Sequence, residues 1–187
     1  MVYRFLILSD EVDDFKREIK INSDATFLDL HQAIQDATGF KGDEMASFFL
    51  CDDDWTKETE ITLVEMDTSS EVDAYVMEDT PLEELVEDEH QKLLYVFDYM
   101  MDRSFFIELV EMITGQTLRK PVCSLSVGEP PAQTVSPEEM DKRIEKFELD
   151  ENFYEEMGLS EDDMNVIDDD EFEPDNIENY FNEDRFG

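Results

Sequence analysis

The sequence predicts an α+β domain in which a β-hairpin and then a helix open one mixed, mostly antiparallel sheet. Residues 15–21 alternate apolar and charged side chains with a period of two, as half-buried strands do. Residues 27–37 place apolar side chains at helical spacing. Residues 93–99 and 105–113 are rich in strand formers and flank a short connection, which predicts a second hairpin. A hairpin followed by a helix is a β-grasp-like opening, which other α+β sheets share.

The first hairpin is predicted from residues 2–8 and 15–21, which the polar turn SDEVDD connects. In the second of these strands, Lys16, Glu18 and Lys20 fall on one face and the apolar side chains fall on the other. We therefore expect one face of the hairpin to meet solvent and the other to meet a core.

A helix is predicted to follow this hairpin. Thr26 is the expected N-cap, and Asp29 occupies the third helical position, where its carboxylate would complete a capping box. The apolar side chains at helical spacing are Phe27, Leu30, Ile34 and Ala37. Gly39 supplies the stop, because glycine tolerates the left-handed conformation in which many helices end.

Three further elements are predicted before the second hairpin. Residues 46–50 and 61–66 are expected to be strands, and the acidic stretch CDDDWTKETE lies between them. Thr80 is the expected N-cap of a short helix that ends near Glu87, with Pro81 at its first position.

The composition allows a folded core but gives the chain an extreme charge. The 187 residues are 41% hydrophobic and include 14 phenylalanines, enough for one ordinary domain and an appendage. Against 52 acidic residues stand 14 basic ones, so the net charge is −38. This charge repels nucleic acids and anionic membrane surfaces. The expected partner is therefore a protein, basic or normally nucleic-acid-binding, and neither nucleic acid nor membrane.

The sequence predicts no membrane span and no secretory signal. No apolar run reaches the roughly 18 residues of a spanning helix. The stretch MVYRFLILSDEVDD lacks the basic region and the small-residue cleavage site of a signal peptide. Cys51 and Cys123 are isolated, with no CxxC motif and no histidine at metal spacing. We therefore expect reduced thiols in a cytoplasmic protein.

The chain is predicted to divide near residue 130. Residues 1–130 would form the α+β domain, and residues 131–187 an acidic C-terminal helix and tail. The segment 114–137 holds four of the six prolines, which predicts an extended strap on the domain or a linker. Ser136 begins the last predicted helix by the same capping pattern.

The acidic tail combines charge with aromatic side chains. From Asp150 to Gly187 there are 16 acids and one base, Arg185. Ordering a backbone costs about 1–2 kcal/mol per residue, which scattered aromatics offset only when they are buried against a surface. The tail is therefore either disordered or held on a surface, which belongs to its own domain or to another molecule.

The sequence offers no catalytic, cofactor or metal-binding motif. The acidic run from Asp168 suits hard cations, but Glu173 stands where an EF-hand loop needs glycine. Neither His31 nor His90 adjoins a nucleophile, although a dyad of Cys51 with a distant histidine stays open. We therefore expect no cofactor, no metal and no enzymatic activity, with an uncharacterised enzyme as one alternative.

Two motifs resemble the plasmid pRiA4b ORF-3-like domain family. The stretch FKREIKINSDATFLDLHQAIQDATGF resembles its opening hairpin and a helix with the pattern Leu-His-x-x-Ile-Gln that ends on glycine and an aromatic residue. The matching residues are Leu30, His31, Ile34, Gln35, Gly39 and Phe40. The stretch YVFDYMMDRSFF stands where the family has Tyr-Asp-Phe-Gly-Asp-x-Trp, and it keeps Phe97, Asp98 and Asp102 without the glycine and the tryptophan.

The resemblance covers the first 130 residues or so. The family's closing Pro-Pro-Glu-Asp-x-Gly-Gly is reduced here to EPPAQ, Glu129 to Gln133. The resemblance implies a compact α+β domain and a link to plasmids and other mobile elements. It implies no established activity.

These observations favour a non-enzymatic protein-interaction module whose acidic aromatic tail docks on a partner. The expected contact residues are Trp55, Asp98, Asp102, Phe153, Tyr154, Phe172, Tyr180 and Phe181. Trp55 has a second interpretation, which is packing against the sheet edge.

A second function is an acidic nucleic-acid mimic that blocks a DNA-binding protein. A helical tail would carry about one net charge per 4 Å, less than half the density of duplex DNA, so the domain would have to supply more.

Overall fold

The computed structural model describes residues 1–64 and 75–135 of the chain. In these residues, the strands are β1 (Val2–Leu8), β2 (Lys16–Asn22), β3 (Ser47–Cys51), β4 (Lys57–Thr62), β5 (Tyr75–Val76), β6 (Lys92–Asp98), β7 (Arg103–Ile113) and β8 (Val122–Val127). The helices are α1 (Phe27–Thr38) and α2 (Leu82–Leu85). Neither described helix has the length and apolar character that a membrane span requires.

All described strands belong to one mixed sheet. They lie in the order β5-β4-β3-β6-β7-β1-β2-β8. Each neighbouring pair is antiparallel except β4 and β5, which run parallel. The predicted α+β class is therefore confirmed for the described residues, including the hairpin and helix that open the chain. The predicted C-terminal appendage and the helix from Ser136 lie outside them.

The sheet presents two unlike faces. On the first face, Phe5 of β1 and Phe105 of β7 share an apolar cluster with Leu30 of α1 and Leu82 of α2. The second face carries a smaller cluster, which consists of Leu6, Leu8, Cys51, Trp55, Leu94 and Phe106. Both helices thus pack on the first face, which holds the main core of the described chain.

Helix α1 begins and ends at the predicted residues. The Thr26 hydroxyl accepts the Asp29 N–H, and the Asp29 carboxylate accepts the Thr26 N–H. Gly39 ends the helix at a φ of 73°, and its N–H donates to the Gln35 carbonyl. The capping box and the glycine stop are therefore confirmed.

Replacing Thr26 with alanine is expected to lower the free energy of unfolding by about 1 kcal/mol, because the first turn of α1 loses its cap. Urea unfolding followed by circular dichroism measures the change. Gln32→Ala, at an exposed position of the same helix, is the control and should shift stability by less than about 0.5 kcal/mol. Equal effects of the two substitutions would show that the cap contributes nothing.

The strand after the acidic stretch begins earlier than predicted. The prediction placed it at residues 61–66, whereas β4 spans Lys57–Thr62. The Asp52 carboxylate accepts the Thr56 N–H (2.8 Å), and Trp55 adopts a φ of 64°, so the turn closes within five residues, 52–56. The charged KETE run that follows does not alternate with apolar residues, so the periodicity failed to predict this strand.

Thr80 does not cap α2, contrary to prediction. Helix α2 is a single turn with Pro81 at its N-cap and no side-chain cap bond, and it ends at Leu85 rather than near Glu87. The Thr80 hydroxyl donates instead to the Val76 carbonyl (2.8 Å). The turn after β5 therefore uses the hydroxyl that the capping pattern had assigned to the helix.

Candidate interaction surface

The segment after β7 forms both a strand and a strap. Strand β8 pairs antiparallel with β2 and is therefore part of the sheet, which the sequence did not predict. The side chain of Asn22 holds the chain that leads into β8, because it donates to the Leu118 carbonyl and accepts the Leu118 N–H, both at 2.8 Å. Residues 128–133, which follow β8 and include Pro130 and Pro131, form an extended strap. A strap was one of the two alternatives that the sequence left open.

Two buried arginines bind this strap. Arg17 of β2 donates to the carbonyls of residues 127 and 128 at 2.5 and 3.0 Å. Arg103 of β7 donates to the carbonyls of residues 132 and 133 at 2.6 and 3.3 Å. The arginines are 4% and 5% exposed, so these charge-assisted bonds lie away from solvent. They fix residues 127–133 against the strands from which the arginines project.

Arg103 also organises the turn between β6 and β7. Its guanidinium donates to Glu11 at 2.8 Å and to Asp98 at 3.5 Å, and it lies 5.0 Å from the centre of the Phe97 ring. The Asp98 carboxylate additionally accepts the N–H groups of residues 100 and 101. Asp98, which the sequence predicted as a contact residue, therefore shapes the turn from within.

The turn between β6 and β7 ends in an exposed apolar tip. Tyr99 is 45% exposed and Met100 is 79% exposed. The Tyr99 hydroxyl hydrogen-bonds Ser47 and Glu60 on the neighbouring strands, which orients its ring. Asp102, at a φ of 47°, holds the ammonium of Lys57 at 2.7 Å. A flexible methionine beside an aromatic ring, with carboxylates around them, is chemistry typical of protein contact surfaces.

Strand β8 is an unprotected sheet edge. All six of its residues are exposed, and three are large and apolar: Val122 (42%), Leu125 (36%) and Val127 (47%). None of the six is charged, in a chain with 35% charged residues. At the opposite edge, β5 is two residues long. Natural sheets protect edges with short strands, lysines or prolines, and within its span β8 has none of these.

Trp55 packs on the second face of the sheet. It is 5% exposed, and its ring meets Phe106 edge-on with centroids 4.9 Å apart. The Lys92 ammonium lies 4.9 Å from the ring centre on the same face. The side chain thus contacts the central strands β6 and β7, whereas the packing interpretation had placed it at the sheet edge.

The structure brings two of the predicted contact residues, Asp98 and Asp102, together, whereas Trp55 packs beside Lys92 at the other end of β6. Asp98 and Asp102 share the β6–β7 turn, and Lys57 links this turn to the strand that begins two residues after Trp55. The other predicted contact residues, which are Phe153, Tyr154, Phe172, Tyr180 and Phe181, lie outside the described residues. The sequence did not single out Arg17, Arg103 or the β8 edge.

Cys51 hydrogen-bonds neither histidine in the described part of the chain. Its thiol donates to a carbonyl of its own strand, and burial raises the pKa of this thiol to about 12. The His31 ring meets the Tyr95 hydroxyl at 2.9 Å, and burial lowers the pKa of His31. His90 pairs with Glu108 at 2.6 Å. A thiol with so high a pKa is a poor nucleophile at neutral pH.

Side chains that could bind a metal do not converge in the structure. Within residues 1–64 and 75–135, no three His, Cys, Asp or Glu side chains form a cluster that could hold an ion. Cys51 is buried, Cys123 is exposed on β8, and both are free thiols.

The model of the family described as "Plasmid pRiA4b ORF-3-like protein" matches residues 2–179. The chain belongs to this family. The resemblance drawn from the opening hairpin and helix is thereby confirmed. The match also reaches past residue 130 into the acidic tail, so the family pattern extends further along the chain than the sequence motifs did.

A solved structure shares the fold. The crystal structure of a protein of unknown function, MM3350 from Methanosarcina mazei Go1, is similar to this family member with a TM-score of 0.52 and 20% identity. The similarity covers 67% of this chain and 68% of that chain. At this identity it shows the fold alone. Among curated proteins, none matches the chain.

Proposed function

We propose that this chain is a non-enzymatic protein-interaction module that binds its partner through the open edge of β8. The observation that carries the proposal is that six consecutive residues of an edge strand are exposed and uncharged. In an antiparallel sheet, alternate residues of an edge strand direct backbone N–H and C=O groups away from their paired neighbour. An extended segment of a partner satisfies these groups by adding one strand to the sheet.

The side chains of β8 provide the apolar part of such a contact. Val122, Leu125 and Val127 are already exposed, so a partner buries them without any rearrangement of this chain. Burying apolar surface contributes about 25 cal/mol per Å². The hydrogen bonds from Arg17 and Arg103 to the strap support the proposal, because they fix the chain directly after β8. A fixed edge loses little conformational entropy when a partner binds.

Charge selects the class of partner. A net charge of −38 repels a second copy of the chain and attracts basic proteins over long distances. The partner we propose is therefore a basic protein, which includes proteins that normally bind nucleic acid. The acidic tail steers such a partner, and its aromatic residues Phe153, Tyr154 and Phe172 are proposed as additional contacts.

The proposal has three further parts, which concern the fold relationship, the location in the cell and the genetic origin. We propose a β-grasp-like relationship for the opening hairpin and helix, a cytoplasmic location, and a link to mobile elements. Two free thiols without a disulfide support the cytoplasmic location. The family's description as plasmid-related supports the link to mobile elements.

The proposal is tested with substitutions that block the edge. Leu125→Lys places on β8 the residue that natural edges use to prevent pairing. Full-length wild-type and variant chains are used to capture basic proteins from lysate, and the dissociation constant of each recovered partner is then measured. Leu125→Lys is expected to weaken binding at least tenfold, which corresponds to about 1.4 kcal/mol.

The matched control is Val64→Lys, which places the same charge at a residue that is 48% exposed and outside β8. The control should bind as the wild type does. Equal binding by all three chains would refute strand addition at β8. Displacement of the partner by duplex DNA would favour the nucleic-acid mimic instead, because a mimic occupies the basic groove in which the partner binds DNA.

A further inference from the structure

The centre of the second face of the sheet is buried although both described helices lie on the first face. On the central strands β1 and β7, Leu6 is 2% exposed and Phe106 is 3% exposed. Between them lies Glu108, opposite Leu6 in the register, and it is 0% exposed. A carboxylate on the outer face of a sheet is normally solvated, so complete burial indicates that this face is an interior surface.

The described loops account for only part of this burial. Trp55 reaches over the second face above β6 and β7, and Tyr99 reaches over β3 and β4. The sheet is about 34 Å wide, since its eight strands lie roughly 4.8 Å apart. These two side chains, together with His90, whose ring contacts Glu108 at 2.6 Å, cannot shield the width of such a face, and β1 and β2 lie beyond Trp55 and Tyr99. Another segment must complete the layer.

We propose that residues 174–187 of this chain dock across the second face over β7, β1 and β2. This segment has the composition that the face requires. It contains four large apolar residues, which are Ile177, Tyr180, Phe181 and Phe186. It is also the least acidic part of the tail, with four acids and one base, whereas residues 150–173 hold 12 acids and no base. The spacing of Ile177, Tyr180 and Phe181 is that of the apolar stripe of a helix.

The charges of the face complement this segment. Lys16 and Lys20 lie opposite Leu8 and Arg4 in the β1–β2 register, and Lys92 lies opposite Glu108. These lysines therefore surround the apolar centre of the second face. The acids of residues 174–187 would meet them at the rim, while the aromatic rings cover the leucines. Glu18 lies between Lys16 and Lys20 on the same face and pairs with Arg4 at 2.8 Å, so bases and acids alternate along this part of β2.

The length of the chain and the extent of the family match are both consistent with residues 174–187 as the segment that covers the second face. The described chain ends at residue 135, and the 38 residues that separate it from residue 174 are enough to reach any point of the sheet. The family match continues to residue 179, so the family's common region extends beyond β8 and into the proposed segment. The proposal stands apart from strand addition at β8, because that edge and this face are different surfaces.

Trp55 is a native probe for the docked segment, since it is the sole tryptophan and lies on the second face. The full-length chain is compared with a triple variant, Ile177→Ser, Tyr180→Ser and Phe181→Ser. Acrylamide, a neutral quencher, is added while Trp55 emission is recorded. The quenching constant is expected to rise severalfold in this variant, with a red shift of the emission. The control is the triple variant Phe153→Ser, Tyr154→Ser and Phe172→Ser, which should quench as the wild type does.

A spin label measures the contact directly in the full-length chain. Lys20→Cys and, as the control, Gln32→Cys are labelled in a Cys123→Ser background, because Cys123 is the exposed native thiol. The label at position 20 should broaden the amide signals of residues 174–187, whereas the label on helix α1 should leave them sharp. Equal broadening from both labels, or none from either, would overturn the proposal, as would unchanged quenching in the first triple variant.

Discussion

Replacing Arg103 with methionine is expected to lower the free energy of unfolding by about 3 kcal/mol, the low end for breaking a buried ion pair. The estimate lies at the low end because the partner Glu11 keeps 21% of its side-chain exposure. The loss arises chiefly because the carbonyls of residues 132 and 133 would lose a charged donor that lies in the interior. Urea unfolding monitored by Trp55 fluorescence measures the change, and amide hydrogen exchange reports release of the strap.

The control for this prediction is Arg119→Met, at an exposed position of the described chain. It removes the same charge but should change stability by less than about 0.5 kcal/mol. Arg103→Lys keeps the charge and loses the planar guanidinium, so its free energy of unfolding should lie between those of the other two variants. If Arg103→Met proved as stable as Arg119→Met, the strap would have to be held by other contacts.

Arg17 and Arg103, which bind the strap, show why part of the fold could not be predicted from the sequence. In the second strand, Arg17 occupies the same face as Ile19 and Ile21, where an apolar residue is expected. This break in the alternation was a signal, because a charged side chain on a core face needs partners. Two of the four carbonyl partners of Arg17, at residues 127 and 128, are more than 100 residues away, and no local pattern identifies them.

Elements with strong local signals were predicted well. Helix α1 combines a capping box at Thr26, an apolar stripe and a stop at Gly39, and all three act within the helix itself. The strands of the β6–β7 hairpin were likewise predicted close to their observed ends, Lys92–Asp98 and Arg103–Ile113. In these segments, local preference and tertiary structure agree.

Strands β4 and β8 were mispredicted because pairing, rather than composition, defines them. Strand β8 reads VCSLSV and follows Pro121, and it is a strand because β2 offers it an open edge. Its missed signal is the lack of charge over six residues in a chain that is 35% charged. Of the candidate surface, the sequence thus identified Asp98 and Asp102 through a family motif, but not the β8 edge beside the strap.

Phe105 lies at the centre of the first-face core, and replacing it with alanine is expected to lower the free energy of unfolding by about 3–5 kcal/mol. The residue is 0% exposed, and its ring lies 4.7 Å from Phe97, 5.0 Å from Phe15 and 5.6 Å from Phe40 between centroids. These rings come from separate elements, so no single side chain can move to fill the cavity that alanine leaves.

Such a loss is a large fraction of the roughly 5–15 kcal/mol by which domains are stable, so Phe105→Ala should unfold at far lower urea concentration than the wild type. Phe105→Leu refills most of the volume and should lose less, which separates cavity formation from the loss of ring stacking. Met100→Ala, at a side chain that is 79% exposed, is the surface control. A Phe105→Ala chain as stable as this control would mean that the aromatic cluster repacks freely, and that the first face is not the rigid support on which the strap and the β8 edge depend.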